Sequence, residues 1–536
     1  MSRKLVYILI GILVLIVVVA IALPLLVDAN QFRPRVESEA SKALGRDVKI
    51  GNLKLSLFAG GVRADNLEIA ENPRFGKSPF LTAQSMTIGV DILPLITSKK
   101  LNINSFTISD PKVNLVEDSN GKWNVSTLGG KGGTSQQGST GEFSVGKFNL
   151  SNGTLTVIHR AAEAKPSVYS KVELTAKDVS LNSKFPFTFS AVPPGGGSIN
   201  VEGDFGPLAQ GDTAGTPLAA TITVKNFDLA QSGAIEPSSG IRGIVDLKAN
   251  VKSDGKVAKL DATGTGTRLA LVPAGTAAKV PVGLDLAADY SLQKQTGTLT
   301  KGIVKIGNSP ANIAGTFDMS GTTTKANMKV DANNLAIGDV EGILPAIGVI
   351  LPSGANLQGG TATAHATSVG PMNALVTTGS VKVENTKLTG FDLGSKMSAV
   401  AKLAGITSSS ETPIQQFSTD LRMAPAGMQA DNIKLIAPTI GVLSGAGTIS
   451  PRNELNFKMS AELQGSNNAI GALAQVAGVK QNKATIPFKI TGTTANPVFL
   501  PDVGGTLGGM VSGGGQSQGA GGILGNLGGL FGKKKK

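Results

Sequence analysis

The sequence predicts a mainly β protein in which an elongated, repetitive antiparallel sheet with a few short helices follows one N-terminal transmembrane helix. Three observations favour this fold class: abundant glycine, no cysteine, and a recurrent two-residue alternation of apolar and polar side chains. Glycine supplies 69 of 536 residues, whereas charged residues make up 16% and aromatic residues 4%, which is typical of a turn-rich, aliphatic chain. Because cysteine is absent, ladder hydrogen bonds and aliphatic burial must hold the body together without disulfides.

The N-terminal residues 5–27 form an uncharged apolar run long enough to cross a bilayer. Arg3 and Lys4 precede the run and favour a cytoplasmic N-terminus. A signal peptide cleaved near Ala22 is the alternative, but its apolar region would be about 7 to 15 residues long, and this run is longer. The predicted anchor residues include Leu5, Ile10, Leu15, Val19, Leu23 and Val27.

Short helices and many strands are predicted after the anchor. Apolar residues recur at helical spacing from Val36 to Leu44 and stop at Gly45, which predicts one amphipathic helix. Two further short helices are predicted over 335–351, broken by Pro345, and over 468–479. Elsewhere the period is two, and since these strands are apolar on one face only, an antiparallel sheet is favoured. The clearest strands cover 53–57, 245–251, 282–292, 455–463 and 486–490.

Weak internal repeats indicate duplicated multi-strand units. Residues 199–205 resemble residues 312–317, with 445–449 as a looser third copy. The first two copies lie about 110 residues apart, a period long enough to contain several strands. Residues 131–140 and 193–198 are predicted linkers. The Gly-rich tail ends in four lysines and is either a solvated tail or a weak membrane-docking peptide.

Composition and motifs argue against nucleic-acid binding and catalysis. The net charge is +13, but the cations are scattered and only three Tyr and one Trp are available for base stacking, so a nearby anionic lipid surface is the better interpretation. His159 and His365 are the only histidines, and no two-histidine metal motif exists. We therefore expect no enzyme activity and no catalytic, cofactor-binding or metal-binding residues.

The remaining question is what covers the apolar face of so much sheet. A second sheet would cover it in a closed sandwich, whereas an open sheet would present an aliphatic groove suited to lipid tails. Periodicity alone leaves both alternatives open. The candidate groove residues are Val282, Leu284, Leu286, Leu455, Phe457, Met459, Ile486 and Phe488.

Residues 110–124 contain a proline-led strand, then Gly121, then the pair Trp123 and Asn124. This order resembles the signature of the AsmA family, in which the pair often reads Asn-Trp. The resemblance begins earlier, with the anchor, the following helix and residues 44–53. It resumes at 379–383, 391–393, 412–414, 486–488 and 496–502.

The resemblance implies an inner-membrane protein of a double-membraned bacterium, with its body in the periplasm and a role in outer-membrane assembly and lipid homeostasis. It also implies a taco-like β-groove, which larger relatives are thought to use to carry phospholipid between the membranes. The expected partners are the inner membrane, phospholipid, and outer-membrane or periplasmic proteins. The alternative is an assembly scaffold with a closed β-body that acts through protein partners.

The expected organisation has seven segments. They are a cytoplasmic start (1–4), the anchor (5–27), an AsmA-like N-terminal region (28–130), a linker (131–140), a repetitive β region (141–370), an AsmA-like C-terminal region (371–502) and the tail (503–536).

Overall fold

A computed structural model describes most of the chain after the apolar run. The described residues are 28–56, 60–91, 102–128, 144–159, 165–209, 215–233, 235, 239–393, 411–463 and 485–502. The predicted anchor, the linker at 131–140, the helix at 468–479 and the Gly-rich tail lie outside them. Among these described ranges, no helix is long and apolar enough to cross a membrane.

The described part is mainly β, with strands in 64% of its residues, and it contains 25 strands and two α-helices. It divides into two compact units. The first unit comprises Met1–Ile350 and Thr363–Thr377, and the second comprises Leu351–Ala362 and Thr378–Lys536. The predicted segment boundaries are not tested by this division and stay predictions.

The first unit contains both α-helices and 17 of the strands. The helices are α1 (Arg33–Leu44) and α2 (Ile337–Ile343). The strands are β1 (Val48–Ser56), β2 (Gly61–Ile69), β3 (Leu81–Val90), β4 (Ile103–Ser109), β5 (Lys112–Glu117), β6 (Ser144–His159), β7 (Ser167–Ser180), β8 (Phe185–Val192), β9 (Ser198–Phe205), β10 (Leu218–Asp228), β11 (Arg242–Ser253), β12 (Val257–Ala270), β13 (Val282–Ser291), β14 (Thr296–Ile306), β15 (Ser309–Asp318), β16 (Lys325–Ala336) and β18 (Thr361–Pro371), with β17 belonging to the second unit.

These strands form a long sheet in which neighbours along the chain pair antiparallel, as predicted. Strands β4 and β5 are the exception to this pairing of chain neighbours. They run in the same direction and are interrupted at Asp110, which has a left-handed φ of 51°. Both pair antiparallel with β3 and parallel with β6, so they occupy a single position in the sheet. The predicted linker at 193–198 is instead the tight connection of the β8–β9 hairpin.

Both predicted helices that fall in the described part are present. Helix α1 ends at Gly45, whose φ of 67° is left-handed and is readily adopted by glycine. Helix α2 is followed by a 3₁₀ turn over Leu344–Ile347, in which Pro345 occupies the first turn. The break at this proline was predicted, because proline cannot continue the hydrogen-bonding ladder of an α-helix.

The strands of the second unit pair antiparallel around a core of their own. Its strands are β17 (Asn356–Gln358), β19 (Val376–Thr389), β20 (Glu411–Ala424), β21 (Gly427–Ala437), β22 (Gly441–Ile449), β23 (Leu455–Leu463), β24 (Thr485–Gly492) and β25 (Pro497–Pro501). Strand β17 pairs with β19, and β20 to β25 follow one another as a meander.

Left-handed asparagines recur inside the strands. Asn66, Asn226, Asn334 and Asn432 all have φ between 50° and 54°, and the register shifts beside Asn226 and Asn432. Asparagine tolerates this conformation better than most residues. Each asparagine is followed by an apolar residue, another residue and a second apolar residue. The extra residue of such a bulge shifts the inward-facing positions by one and bends the strand.

Candidate functional site

The register of the first unit gathers the apolar positions of its strands on one face of the sheet. Residues that pair across a ladder project from the same side, so partners can be followed from strand to strand. We follow three such rows, called rows 1, 2 and 3. Together they form a surface that we call the apolar face.

Row 1 takes one residue from each of 15 strands, β1 to β4 and β6 to β16, and every member is apolar or glycine. With neighbouring strands about 4.8 Å apart, the row measures on the order of 65 Å along the sheet. Its members are Leu55, Val62, Ile88, Phe106, Phe148, Ala176, Phe187, Gly203, Ala220, Val251, Leu260, Ala288, Leu299, Gly315 and Met328.

Rows 2 and 3 run beside row 1 and have the same character. Row 2 consists of Leu53, Ala64, Met86, Ile108, Leu150, Leu174, Phe189, Val201, Ile222, Ala249, Ala262, Leu286 and Gly302. Row 3 consists of Ala191, Ile199, Val224, Leu247, Gly264, Leu284, Val304 and Ala311.

The opposite face of the same strands is polar. A row shifted by one residue from rows 1 and 2 contains a single apolar member, Ala287. The row reads Lys54, Arg63, Thr87, Thr107, Asn149, Thr175, Thr188, Glu202, Thr221, Asn250, Asp261, Ala287 and Lys301. The sheet therefore has one apolar face and one polar face across at least 13 strands.

The middle of the apolar face is not covered by a second layer within the described part of the first unit. The buried members of row 1 are all alanines. Its large side chains are all at least partly exposed, and Val62 reaches 37% exposure. Beneath a second sheet, such side chains would be buried.

Helices cover the apolar face at two places. Beside β1, Ala40 and Leu44 of α1 pack against a core that includes Leu53 and Leu67. At one end of β12 and β13, Ile343 of α2 joins a cluster that also contains Leu269, Val282 and Ala346.

The structure brings three of the predicted groove residues together in the first unit. Val282 is 7% exposed, beneath α2. Leu284 and Leu286 follow it along β13, in rows 3 and 2, and both remain partly exposed. These two leucines therefore have the surroundings that an open groove requires.

The predicted groove residues of the second unit have different surroundings. Phe488 and Met459 are 1% and 8% exposed and belong to a closed core that also includes Phe391 and Leu393. Phe457 and Ile486 pack against this core, and Leu455 pairs with Ile449 at the margin of the sheet. Whether any of these residues meets lipid stays a prediction.

A glycine in the apolar face leaves room for a large neighbouring side chain. In the row formed by Tyr290, Gly297 and Phe317, the two aromatic rings stack with centroids 6.0 Å apart. A β-carbon on Gly297 would lie 2.1 Å from the Phe317 ring, so only glycine leaves room for the ring to lie across its neighbour. The Phe317 ring therefore fills the space above Gly297.

Two depressions in the sheet surface are lined largely by residues of the polar face. The larger one has a volume of about 780 Å³ across β10 to β14. Side chains of both charges project into it, among them Lys225, Lys248, Lys305, Asp246 and Asp285. Because these side chains are partly or fully exposed and mixed in sign, this surface has the character of ordinary solvated sheet.

The two histidines lie at separate places in the first unit. Nδ1 of His159 is 2.6 Å from a carboxylate oxygen of Glu117, and Nδ1 of His365 is 3.0 Å from a carboxylate oxygen of Asp331. No group of three or more His, Asp or Glu residues that could hold a metal ion occurs among the described residues.

Sequence reasoning missed a buried polar cluster formed by Arg46, Glu71 and Asn124, here called the Arg46 cluster. The Arg46 guanidinium lies 2.9 Å from Glu71 and donates to the carbonyl oxygen of Asn124 at 2.6 Å. The Asn124 side chain donates to Glu71 at 2.5 Å and to the carbonyl of Asn114 at 2.8 Å. Arg46 and Asn124 come from two of the segments that carry the family resemblance, so these distant segments meet at one buried point.

Comparison with known families agrees with that resemblance. The family model of the AsmA family matches residues 1–338. Comparisons with curated proteins and with solved structures give no significant match.

Proposed function

Because this chain belongs to the AsmA family and its first unit presents a broad, partly exposed apolar face, we propose that it handles phospholipid along that face. In this proposal, residues 5–27 anchor the chain in the inner membrane of a double-membraned bacterium and the β-body lies in the periplasm. The protein carries or shelters phospholipid between the two membranes and thereby supports outer-membrane assembly. It catalyses no reaction.

The size of the apolar face is the observation that carries the proposal. At about 4.8 Å between strands and about 6.8 Å between successive residues on one face, the three rows cover on the order of 1,000 Å². Helix α1 and neighbouring side chains bury part of this footprint; for comparison, the largest exposed apolar patch of a typical soluble monomer measures about 300–600 Å². Acyl chains would remove this surface from water without requiring any specific polar contact.

A photo-crosslinking residue tests the proposal in cells. Placed at Leu286 on the apolar face, it should capture phospholipid. Placed at Thr263, an exposed residue on the polar face of β12, it should capture much less. Equal capture at the two positions, or none at Leu286, would overturn the lipid-handling role.

The location of the body requires a separate measurement. The β-body should resist added protease in intact cells and become sensitive once the outer membrane is permeabilised. The chain should also remain with the membrane fraction after a high-pH wash. Digestion that requires lysis of the inner membrane would contradict a periplasmic body.

A scaffold role is the second candidate, and the second unit provides a specific observation in its favour. Its core encloses Met459 and Phe488 almost completely, as expected for a closed body that acts through protein partners. A crosslinker at Phe457, which packs against that core, distinguishes the roles: capture of lipid there would extend the groove, and capture of protein alone would favour the scaffold.

A further inference from the structure

Helix α1 has a second apolar surface, exposed, beside the one that contacts the sheet. Ala40 and Leu44 pack against the core beside β1. Phe32, immediately before the helix, and Val36 are 57% and 39% exposed, and Ala43 is exposed as well. At about 100° per residue, these three exposed side chains lie within about 40° of one another around the helix axis. We call them the outer stripe.

The orientation of the outer stripe is fixed by contacts on the inner side of the helix. Ser41 and Glu37 accept hydrogen bonds from the backbone N–H groups of Val48 and Ile50 at 2.8 and 2.7 Å. Just before the helix, the Asn30 side chain accepts from Leu53 N–H at 2.8 Å. These side chains cover the outer edge of β1, which otherwise would present unpaired backbone groups. The helix is thus held along its length, and the outer stripe is left exposed beside this contact.

The position of the stripe in the chain restricts what covers it. The apolar run ends at Val27, five residues before Phe32. A fully extended chain spans at most about 3.6 Å per residue, which keeps Phe32 within about 18 Å of the end of the run. The polar layer of a bilayer is roughly 5–8 Å thick on each side of the hydrocarbon core. A membrane that holds residues 5–27 therefore lies within reach of the stripe.

The charges beside the stripe fit a phospholipid surface. Arg35 is exposed at its side, where its guanidinium can approach lipid phosphates. Glu39, the acidic residue nearest the stripe, is 3.0 Å from the ammonium of Lys42, so its charge is balanced locally. Interfacial helices commonly combine an apolar side with flanking cations in this way.

We propose that the outer stripe of α1 rests in the phospholipid headgroup layer and fixes the first strand of the β-body against the membrane surface. This inference rests on the proposed anchoring of residues 5–27. It adds a second membrane contact, in which Phe32 and Val36 enter the interface and Arg35 meets the phosphates. The start of the apolar face would then be held beside the bilayer by two contacts, the anchor and the outer stripe, and not by the anchor alone.

The absence of cysteine makes single-cysteine labelling direct. The full chain is reconstituted in vesicles of phosphatidylethanolamine with phosphatidylglycerol as the minor component. Nitroxide labels are placed on Phe32→Cys and Val36→Cys, and on Ser38→Cys, an exposed position on another side of the helix. Labels at 32 and 36 should collide several-fold less often with a water-soluble nickel chelate, and more often with oxygen, than the label at 38.

The outcomes separate this inference from the proposed function. If a high-pH wash removes the chain from the vesicles, the anchoring fails and the inference fails with it. If the chain is retained but all three labels are equally exposed to the chelate, the outer stripe does not contact lipid and only the inference is overturned. Because Phe32 and Val36 are exposed, their replacement removes little packing, and unchanged thermal unfolding of the variants confirms that the fold is intact.

Discussion

A carboxylate at Leu286 should weaken lipid binding roughly 100-fold without unfolding the protein. Leu286 pairs with Ala262 and Gly302 in row 2. The rows on either side are apolar as well, so an aspartate at this position would find no cation on its own face. In the free protein the position is partly exposed, and the carboxylate would remain hydrated. We therefore expect Leu286→Asp to lower the free energy of unfolding by about 1–2 kcal/mol, which leaves the protein folded.

The effect on lipid binding should be much larger. A half-buried leucine contributes about 1 kcal/mol of apolar contact, and covering a polar group without a partner costs at least about 2 kcal/mol. The sum of about 3 kcal/mol corresponds to a roughly 100-fold weaker affinity for an acyl chain at this place. Leu286→Met, which keeps the size and the apolar character, should bind nearly as well as the wild type.

Ala287→Asp provides the matched control. It introduces the same charge one residue later in the same strand, on the polar face, where Ala287 pairs with Lys301. Phospholipid per chain is measured by phosphorus analysis of the purified full-length protein, and affinity is measured by titration with a fluorescent phospholipid. If both aspartate variants lose lipid equally, or if Leu286→Asp retains it, the apolar face is not the binding surface.

Three further predictions concern stability. Asn124→Ala should destabilise the first unit by about 3 kcal/mol in denaturant unfolding, because it leaves buried partners of a fully buried side chain without hydrogen bonds; Asn120→Ala, at an exposed position nearby, should have little effect. Phe488→Ala should cost the second unit about 3–5 kcal/mol, since the ring is 1% exposed, and hydrogen exchange should accelerate in β23 and β24. The backbone N–H of Lys122, with smaller contributions from Asn120 and Arg74, lowers the pKa of Asp118. The stabilisation that follows is complete above the ordinary carboxyl pKa of about 3.9 and is lost as the pH falls through the lower folded-state value. Asp118→Asn should therefore flatten this part of the acid-unfolding curve, and an unchanged curve would contradict the assignment.

Local periodicity was sufficient to locate much of the sheet. The stripe predicted over 282–292 corresponds to β13, Val282–Ser291, because a strand with one buried face must alternate wherever it pairs. The helix break at Pro345 was predictable for a similarly local reason. The bulges were missed because a left-handed asparagine places two successive residues on the same face, which interrupts strict alternation. Asparagine followed by an apolar residue, any residue and a second apolar residue is the signal that could have located them.

Periodicity could not predict which apolar faces are covered and which are exposed. Strands β13 and β23 alternate in the same way, yet Leu286 is partly exposed whereas Met459 is 8% exposed. What separates them is distant in sequence: Phe391 and Leu393 join the core of the second unit, and no described segment does the same for the middle of the first. Alternation shows which side of a strand is apolar. Whether another layer covers that side depends on residues distant in sequence, which a local pattern does not include.

The make-up of the apolar face explains which substitutions should matter. Rows 1 to 3 offer many apolar side chains over 36 positions, and beside them the Phe317 ring lies across Gly297, so large side chains extend over small neighbours. Such a surface distributes its contact with an acyl chain over many residues, and the loss of one side chain removes only its own share. Truncation of Leu286 to alanine should therefore weaken binding by less than about tenfold. A charge acts differently, because an acyl chain lying along the rows must either cover it without a partner or leave the face at that point.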